Sequence, residues 1–285
     1  MYYSRYLLNI YIYLFNQITH MKLVLWKPYG ITSNFFTQQL QSKYNYTSIC
    51  YAGRLDPLAQ GIMLILTDSD VKTMSTHLTH NKIYTFDIIL GFETTSADIA
   101  GSVLNDIDIH YTLCIDKTYI YNKLIDFISS YKHQVYPPIS SFVVKHPVHG
   151  RNPLWWYAKN NIHIELPSKP VDIYAHTIEN IAEVSTQQFY TDAIQRLETI
   201  TNLKTIEELD IHTFLDYYKS KLNQILTQSN LDMPQTLPRT RTSKIKISMT
   251  LNVSSGFYIR QFCEDFGKHI HIPGIAFDIT RTNIY

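Results

Sequence analysis

Cysteine is scarce: Cys50, Cys114 and Cys263 stand far apart in a chain of 285 residues. That excludes a disulfide framework and any zinc site built on CxxC pairs. It fits a reducing intracellular compartment, the cytoplasm or the nucleus. Glycine is sparse too, with 9 copies, and no low-complexity linker separates two halves. No apolar run reaches the ~18 residues that a membrane-spanning helix needs, so no membrane is expected among the partners. Charged residues make up 17% and hydrophobic ones 45%, a balance that excludes a disordered tail or a coiled coil. A chain of 33.3 kDa is long for one small domain, short for two, and large enough to bury a core without staples. What is abundant is tyrosine, at 22 copies.

The formal net charge of +1 hides a segregation. Between Glu179 and Asp232 stand nine acidic and four basic residues. From Met233 to Arg260 there are five basic residues and no acid, and from Ser141 to Asn160 there are Lys145, Arg151 and Lys159 and no acid. Such local excess is an electrostatic footprint for a polyanion or simply a solvated surface, and charge alone does not choose. Near the start, Tyr6 to Phe15 reads YLLNIYIYLF after a single Arg5. It lacks the basic flank and cleavage site of a signal peptide. Residues 1–21 therefore read as an N-terminal extension, with Met21 a second candidate start.

Periodicity predicts strands at Lys22–Trp26, Ile62–Thr67, Ile83–Leu90 and Lys244–Val253. The last alternates strictly, with Ile245, Ile247, Met249, Leu251 and Val253 on one face and a wet, basic opposite face. Helices are predicted from Thr32–Asn34 to about Tyr44, over Lys117–Tyr131 and over Phe257–His269. The clearest is Thr205–Leu226, where Thr205 and Glu208 form a capping-box pattern. Strands and helices intermix without a βαβ repeat, which predicts an α+β fold.

The densest run of special residues is Gly53-Arg54-Leu55-Asp56-Pro57-Leu58-Ala59-Gln60-Gly61. On local physics, Asp56-Pro57 reads first as a helix N-cap followed by proline at the first helical position. Four ordered motifs shift that weighing. Lys27 to Asn34 is similar to KPxGxTSN, Ala52 to Gly61 to TGxLDPLAxG, Lys82-Ile83-Tyr84 to K-x-Y, and Gly256 to Arg260 to GTYIR. Weaker echoes are Gln134 to Ser141, like QxPPxxSA, and Trp156 to Lys159, like YxYAR. By these motifs the chain resembles the TruB-type tRNA pseudouridine synthases.

The resemblance implies a pseudouridine synthase-like, mixed and largely antiparallel sheet flanked by helices. It implies a monomeric enzyme with no cofactor and no metal, which flips a uridine out of the T arm of tRNA and converts it to its C-glycoside isomer. Asp56 would be the essential carboxylate, as nucleophile or as the base that starts an elimination. Tyr84 would stack on the extruded uracil and serve as the base at C5. Arg260 would pair with Asp56, and Tyr258 would pack beside them. Lys27 would touch RNA phosphate or be a solvated turn residue. Two departures lie at the aspartate loop. Tyr51 replaces a usual histidine and is expected to act as a wedge or stacking partner, and Arg54 gives an RLD sequence and is expected to touch substrate. By this reading residues 22–285 form the catalytic domain, with an acidic, partly helical insertion at about 181–242 and no C-terminal PUA domain.

Overall fold

The computed structural model describes residues 22–109, 116–203, 211–230 and 243–285. In chain order the strands are β1 (Lys22–Lys27), β2 (Ile49–Ala52), β3 (Gln60–Thr67), β4 (Lys82–Leu90), β5 (Phe92–Thr94), β6 (Val103–Asp106) and β7 (His133–Val135). Then follow β8 (Val143–His146), β9 (Gly150–Pro153), β10 (Ser168–Pro170), β11 (Ile173–Ser185), β12 (Ser243–Val253) and β13 (Gly274–Ile284). The α-helices are α1 (Ser33–Tyr44), α2 (Met74–His77), α3 (Lys117–Ser130), α4 (Leu154–Lys159), α5 (Thr186–Leu203), α6 (Ile211–Asn230) and α7 (Ile259–His269).

Seven strands make the main sheet, in the order β1-β3-β13-β4-β12-β11, with β2 also on β3. Every pairing is antiparallel except a two-residue parallel contact, Thr280 opposite Gln60 and Arg281 opposite Gly61. The fold is α+β, as the sequence pattern predicts. Alternation along β4 sends Tyr84, Phe86, Ile88 and Leu90 into one core with α1, α3 and α7, and Ile89 into another. The five odd-numbered apolar residues of β12 are fully buried in the first core.

The second core is where expectation and structure part. Between β11 and β12 the chain forms two helices, α5 and α6, and α5 was not foreseen. β11 runs on through Ser185, so the helical connection begins at Thr186 rather than near Ile181. The capping box at Thr205 and Glu208 lies outside the described residues. Phe189, Tyr190, Leu197, Leu215 and Tyr218 from the hairpin pack on Ile89, Phe92, Ile275 and Phe277. The hairpin base is tied down by polar contacts: Tyr190 Oη donates to Asp106 at 2.5 Å and Thr186 Oγ1 to Asp108 at 2.7 Å.

The wet face expected for β12 is kept at Lys246, Ser248, Thr250 and Asn252, which are partly exposed, and is lost at Lys244. Lys244 is fully buried, with Nζ 2.6 Å from Asp106 and 2.6 Å from the Ile107 carbonyl. Lys246 faces Asp87 at 3.7 Å. Of the basic run before Arg260, Lys244 is therefore neutralised inside the fold, and Arg239 and Arg241 lie outside the described residues.

Candidate active site

The loop Gly53–Ala59 joins β2 to β3, and the motif at residues 27–34 holds it by its backbone. Ser33 Oγ donates to the Leu55 carbonyl at 2.8 Å and accepts from the Leu55 N–H at 2.9 Å. The Gly30 N–H donates to the Pro57 carbonyl at 3.0 Å. Lys27 Nζ donates to the carbonyls of Ala59 (2.7 Å), Asp56 (3.2 Å) and Pro28 (3.2 Å). Lys27 is thus neither solvated nor on a phosphate path: it is fully buried. The pleat of β1 explains why, because Lys27 points to the same inner side as Leu25. Burial pushes its pKa down to about 7, against the pull of Asp56 and together with Arg281.

The Asp56 carboxylate does not cap a helix. Residues 56–59 close a turn, with the Ala59 N–H donating to the Asp56 carbonyl at 3.0 Å. The side chain turns instead to Arg260, whose Nε donates to Oδ2 at 2.7 Å. Arg260 does not grip the carboxylate with two nitrogens. Its other nitrogens reach the carbonyls of Ser96 (2.6 Å) and Ile139 (3.1 Å), so one guanidinium ties three loops together. Burial works against its charge, but the carboxylates of Asp56 and Asp98 outweigh burial and raise its pKa. Asp98 Oδ2 lies 3.7 Å from the same Nε. Its own pKa is raised by burial, against Arg260, the Ser96 hydroxyl and the Ala100 N–H.

These groups open on a cavity of about 340 Å³. Asp56, Tyr84, Tyr258, Arg260 and Arg54 all contribute to its wall. Tyr258 is fixed from behind by Gln134, whose amide accepts from the Tyr258 N–H at 2.8 Å and donates to its carbonyl at 2.9 Å. Burial, then the charge of Asp56, pushes the Tyr258 phenol up to about 12. Tyr51 is not among the wall residues. It lies opposite Ile65 on the β2–β3 ladder, partly buried against the main core, with the Arg54 guanidinium 5.9 Å from its ring. Its half-buried ring meets the arginine and does not line the cavity.

Sequence reasoning gave no role to Arg281, which is fully buried. Its nitrogens donate to the carbonyls of Ile62 (2.6 Å) and Gly53 (3.1 Å), and one lies 3.5 Å from the Tyr84 hydroxyl. It thereby closes both ends of the aspartate loop. Gly61, at φ +123°, is required beside it, because a Cβ there would collide with the Arg281 backbone. An arginine in an alternating C-terminal strand gives no local sign of such a role; only the parallel β3–β13 contact brings it near. Leu78 also walls the cavity, 41% exposed, an apolar side chain at the mouth.

A family model described as "TruB family pseudouridylate synthase (N terminal domain)" matches residues 41–196. The chain belongs to this family. The matched span holds Asp56 and Tyr84. Relatives extend the likeness. "tRNA pseudouridine synthase B" of Malacoplasma penetrans is 25% identical over 258 residues, 90% of this chain and 82% of its own length. That of Mesoplasma florum is 24% identical over 256 residues, 85% of this chain and 86% of its own. That of Hydrogenovibrio crunogenus is 33% identical over 152 residues, and there the match spans about half of each, 53% and 47%. Among solved structures, that of a Cbf5-Nop10-Gar1 complex aligns with a TM-score of 0.45 at 11% identity, over 91% of this chain and 47% of that one. By family the chain is a pseudouridine synthase of the TruB type. No helix among the described residues is long and apolar enough to cross a membrane.

Proposed function

We propose that this synthase isomerises a uridine in the T arm of tRNA, with Asp56 as the reacting carboxylate. One observation carries the reading: a carboxylate at a cavity wall is held by a buried arginine whose other anionic partner among the described residues is Asp98. In the reaction the N1–C1′ bond breaks, a C5–C1′ bond forms, C5 gives up its proton and N1 gains one. Atoms and electrons balance within the nucleotide, so no redox partner is called for. Asp56 attacks the nucleotide or removes the proton that starts an elimination; both routes use the same ionised carboxylate. Arg260 orients it through the Nε hydrogen bond. Tyr84 stacks against the extruded uracil and takes the C5 proton, and Tyr258 closes the opposite side.

Reaching the base requires extrusion, which costs a few kcal/mol of unstacking. The surface beside the cavity suits that cost. Ser140 and Ser141 wall the cavity, and the β8–β9 hairpin and α4 grow directly from them. On that hairpin Lys145 and Arg151 sit directly opposite each other and exposed, and Lys159 is exposed on α4. Like charges facing across a ladder cost stability, and a phosphate backbone relieves that cost. Tritium release from tRNA carrying [5-³H]uridine tests the proposal. Intact transcript is expected to lose one label per molecule, and a transcript with the T-arm uridine replaced by cytidine none. Release from the replaced transcript would move the target elsewhere, and no release from either would leave an RNA-binding protein on a synthase scaffold.

A further inference from the structure

Besides apolar packing, the α5–α6 hairpin reaches the back of the aspartate loop through a charged residue, Arg196. Its guanidinium lies 4.7 Å from the Phe277 ring centroid and 5.4 Å from that of Tyr29, and 2.8 Å from Asp278 Oδ2. Each contact leads to the site. Tyr29 precedes Gly30, whose N–H holds the Pro57 carbonyl next to Asp56. Leu58, two residues after Asp56, belongs to the same second core as the hairpin. Asp278 sits at φ +52° in a β13 irregularity between Phe277 and Thr280, three residues before Arg281. Arg196, Tyr29, Leu58, Asp278 and Asp98 together line a small cavity of about 10 Å³, and Asp98 is the second carboxylate on Arg260.

We propose that Arg196 is a positioning residue for the reaction: through it, the helical hairpin sets both the loop that carries Asp56 and the strand bulge that aims Arg281. A cation laid over two rings and paired with a carboxylate gains from cation–π contact and from a charged hydrogen bond. The pair sits at the bulge itself, where aspartate is one of the few non-glycine residues that adopt the left-handed region, so Arg196 meets β13 at its point of irregularity. The hairpin is thus a brace on the reacting geometry and not only a lid on apolar surface. The inference rests on the reading of Asp56 as the reacting carboxylate.

The test compares Arg196→Ala, Arg196→Lys and Asp278→Asn in the full chain. Asparagine tolerates the left-handed backbone, so Asp278→Asn removes the charge pair without adding strain. Displacing a reacting group by a fraction of an ångström is expected to cost Arg196→Ala roughly tenfold in kcat with KM for tRNA nearly unchanged. Arg196→Lys should recover most of that loss, and Asp278→Asn should lose less than Arg196→Ala. Amide exchange at Gly30 and Ala59 should quicken in Arg196→Ala while the amides of β12 keep their protection. A fall in melting temperature with kcat intact overturns the proposal, as does a rise in KM that matches the fall in kcat, which would make Arg196 an RNA contact. Absent turnover in the unaltered chain would sink the reading of Asp56, whereas unchanged exchange at Gly30 and Ala59 would sink the brace, so the two fail separately.

Discussion

At the residue scale the arginine at the site holds more than its carboxylate. Arg260 meets Asp56 through Nε alone and spends its remaining nitrogens on the Ser96 and Ile139 carbonyls. Arg260→Lys should therefore do two things. It should slow turnover far more than it weakens RNA binding, and it should lower stability, since each buried carbonyl left without a donor costs about 1–3 kcal/mol. Thermal melts beside a binding and turnover assay check this; turnover and affinity falling together would mark a phosphate contact. Asp56→Asn keeps the shape but can act neither as nucleophile nor as base, so turnover should fall by roughly a thousandfold or more with RNA affinity kept. Measurable turnover near the wild-type level would sink the assignment. Lys27 adds a pH signature. Its pKa of about 7 in the fold lies below the ordinary 10.5, so between these values the unfolded chain binds more protons than the folded one. Its contribution is a constant penalty below about pH 7 and becomes more favourable as pH rises toward 10. The melting temperature of the wild type, minus that of Lys27→Met, should therefore climb from pH 7 to 9.5, with the other lysines cancelling in the difference. A flat difference would show that Lys27 is not held against its charge.

At the element scale the hairpin of α5 and α6 decides how the second core is covered. Ile89, Phe92, Ile275 and Phe277 belong to strands β4, β5 and β13, and the helices supply Phe189, Tyr190, Leu197, Leu215 and Tyr218 against them. Uncovering a buried aliphatic or aromatic side chain costs about 1.5–3 kcal/mol. Four at once approach the whole stability of an ordinary domain. Replacing residues 186–242 with a short linker should thus yield a chain that associates or fails to accumulate, read by size-exclusion chromatography. A monomeric deletion variant with an unchanged melting temperature would show that the hairpin is dispensable cover. The periodic half of this element was legible in the chain: Phe214, Leu215, Tyr218, Leu222 and Ile225 recur at helical spacing and lie in α6. Its partner α5 was not, because its apolar positions are interleaved with Thr191, Thr199 and Thr201 of weak helical preference and its burial depends on a surface made by distant strands.

At the scale of the whole molecule, what was legible followed the range of the interactions. The strands carrying Tyr84 and the β12 core residues announce themselves through a period of two. Arg281 and Lys27 did not, because their partners are brought together by ladder pairings 220 residues apart for the one and by the fold of the aspartate loop for the other. Charge alone did not choose, for the same reason. The basic stretch before Arg260 left a polyanion footprint and a solvated surface both open, yet Lys244 and Arg260 are themselves buried and paired with Asp106 and Asp56, while Lys145, Arg151 and Lys159 remain exposed beside the cavity. The hairpin of α5 and α6 lies against the other core, where Asp216 is exposed on α6. This division predicts how RNA binding responds to salt. The slope of log K against log salt counts neutralised phosphates. Lys145→Ala and Arg151→Ala should each make it shallower by about one, the signature of a lost phosphate contact. Asp216→Asn should leave it unchanged, because a hairpin held off the RNA neither releases counterions nor repels phosphates at contact distance beyond a Debye length of about 8 Å at physiological salt. Filter binding of tRNA from 50 to 300 mM salt, with concentrations chosen as roughly those where such slopes are linear, separates the cases. A tighter complex and an altered slope in Asp216→Asn would bring the hairpin into the interface, and unchanged slopes in both cationic variants would move the phosphate path away from the β8–β9 hairpin.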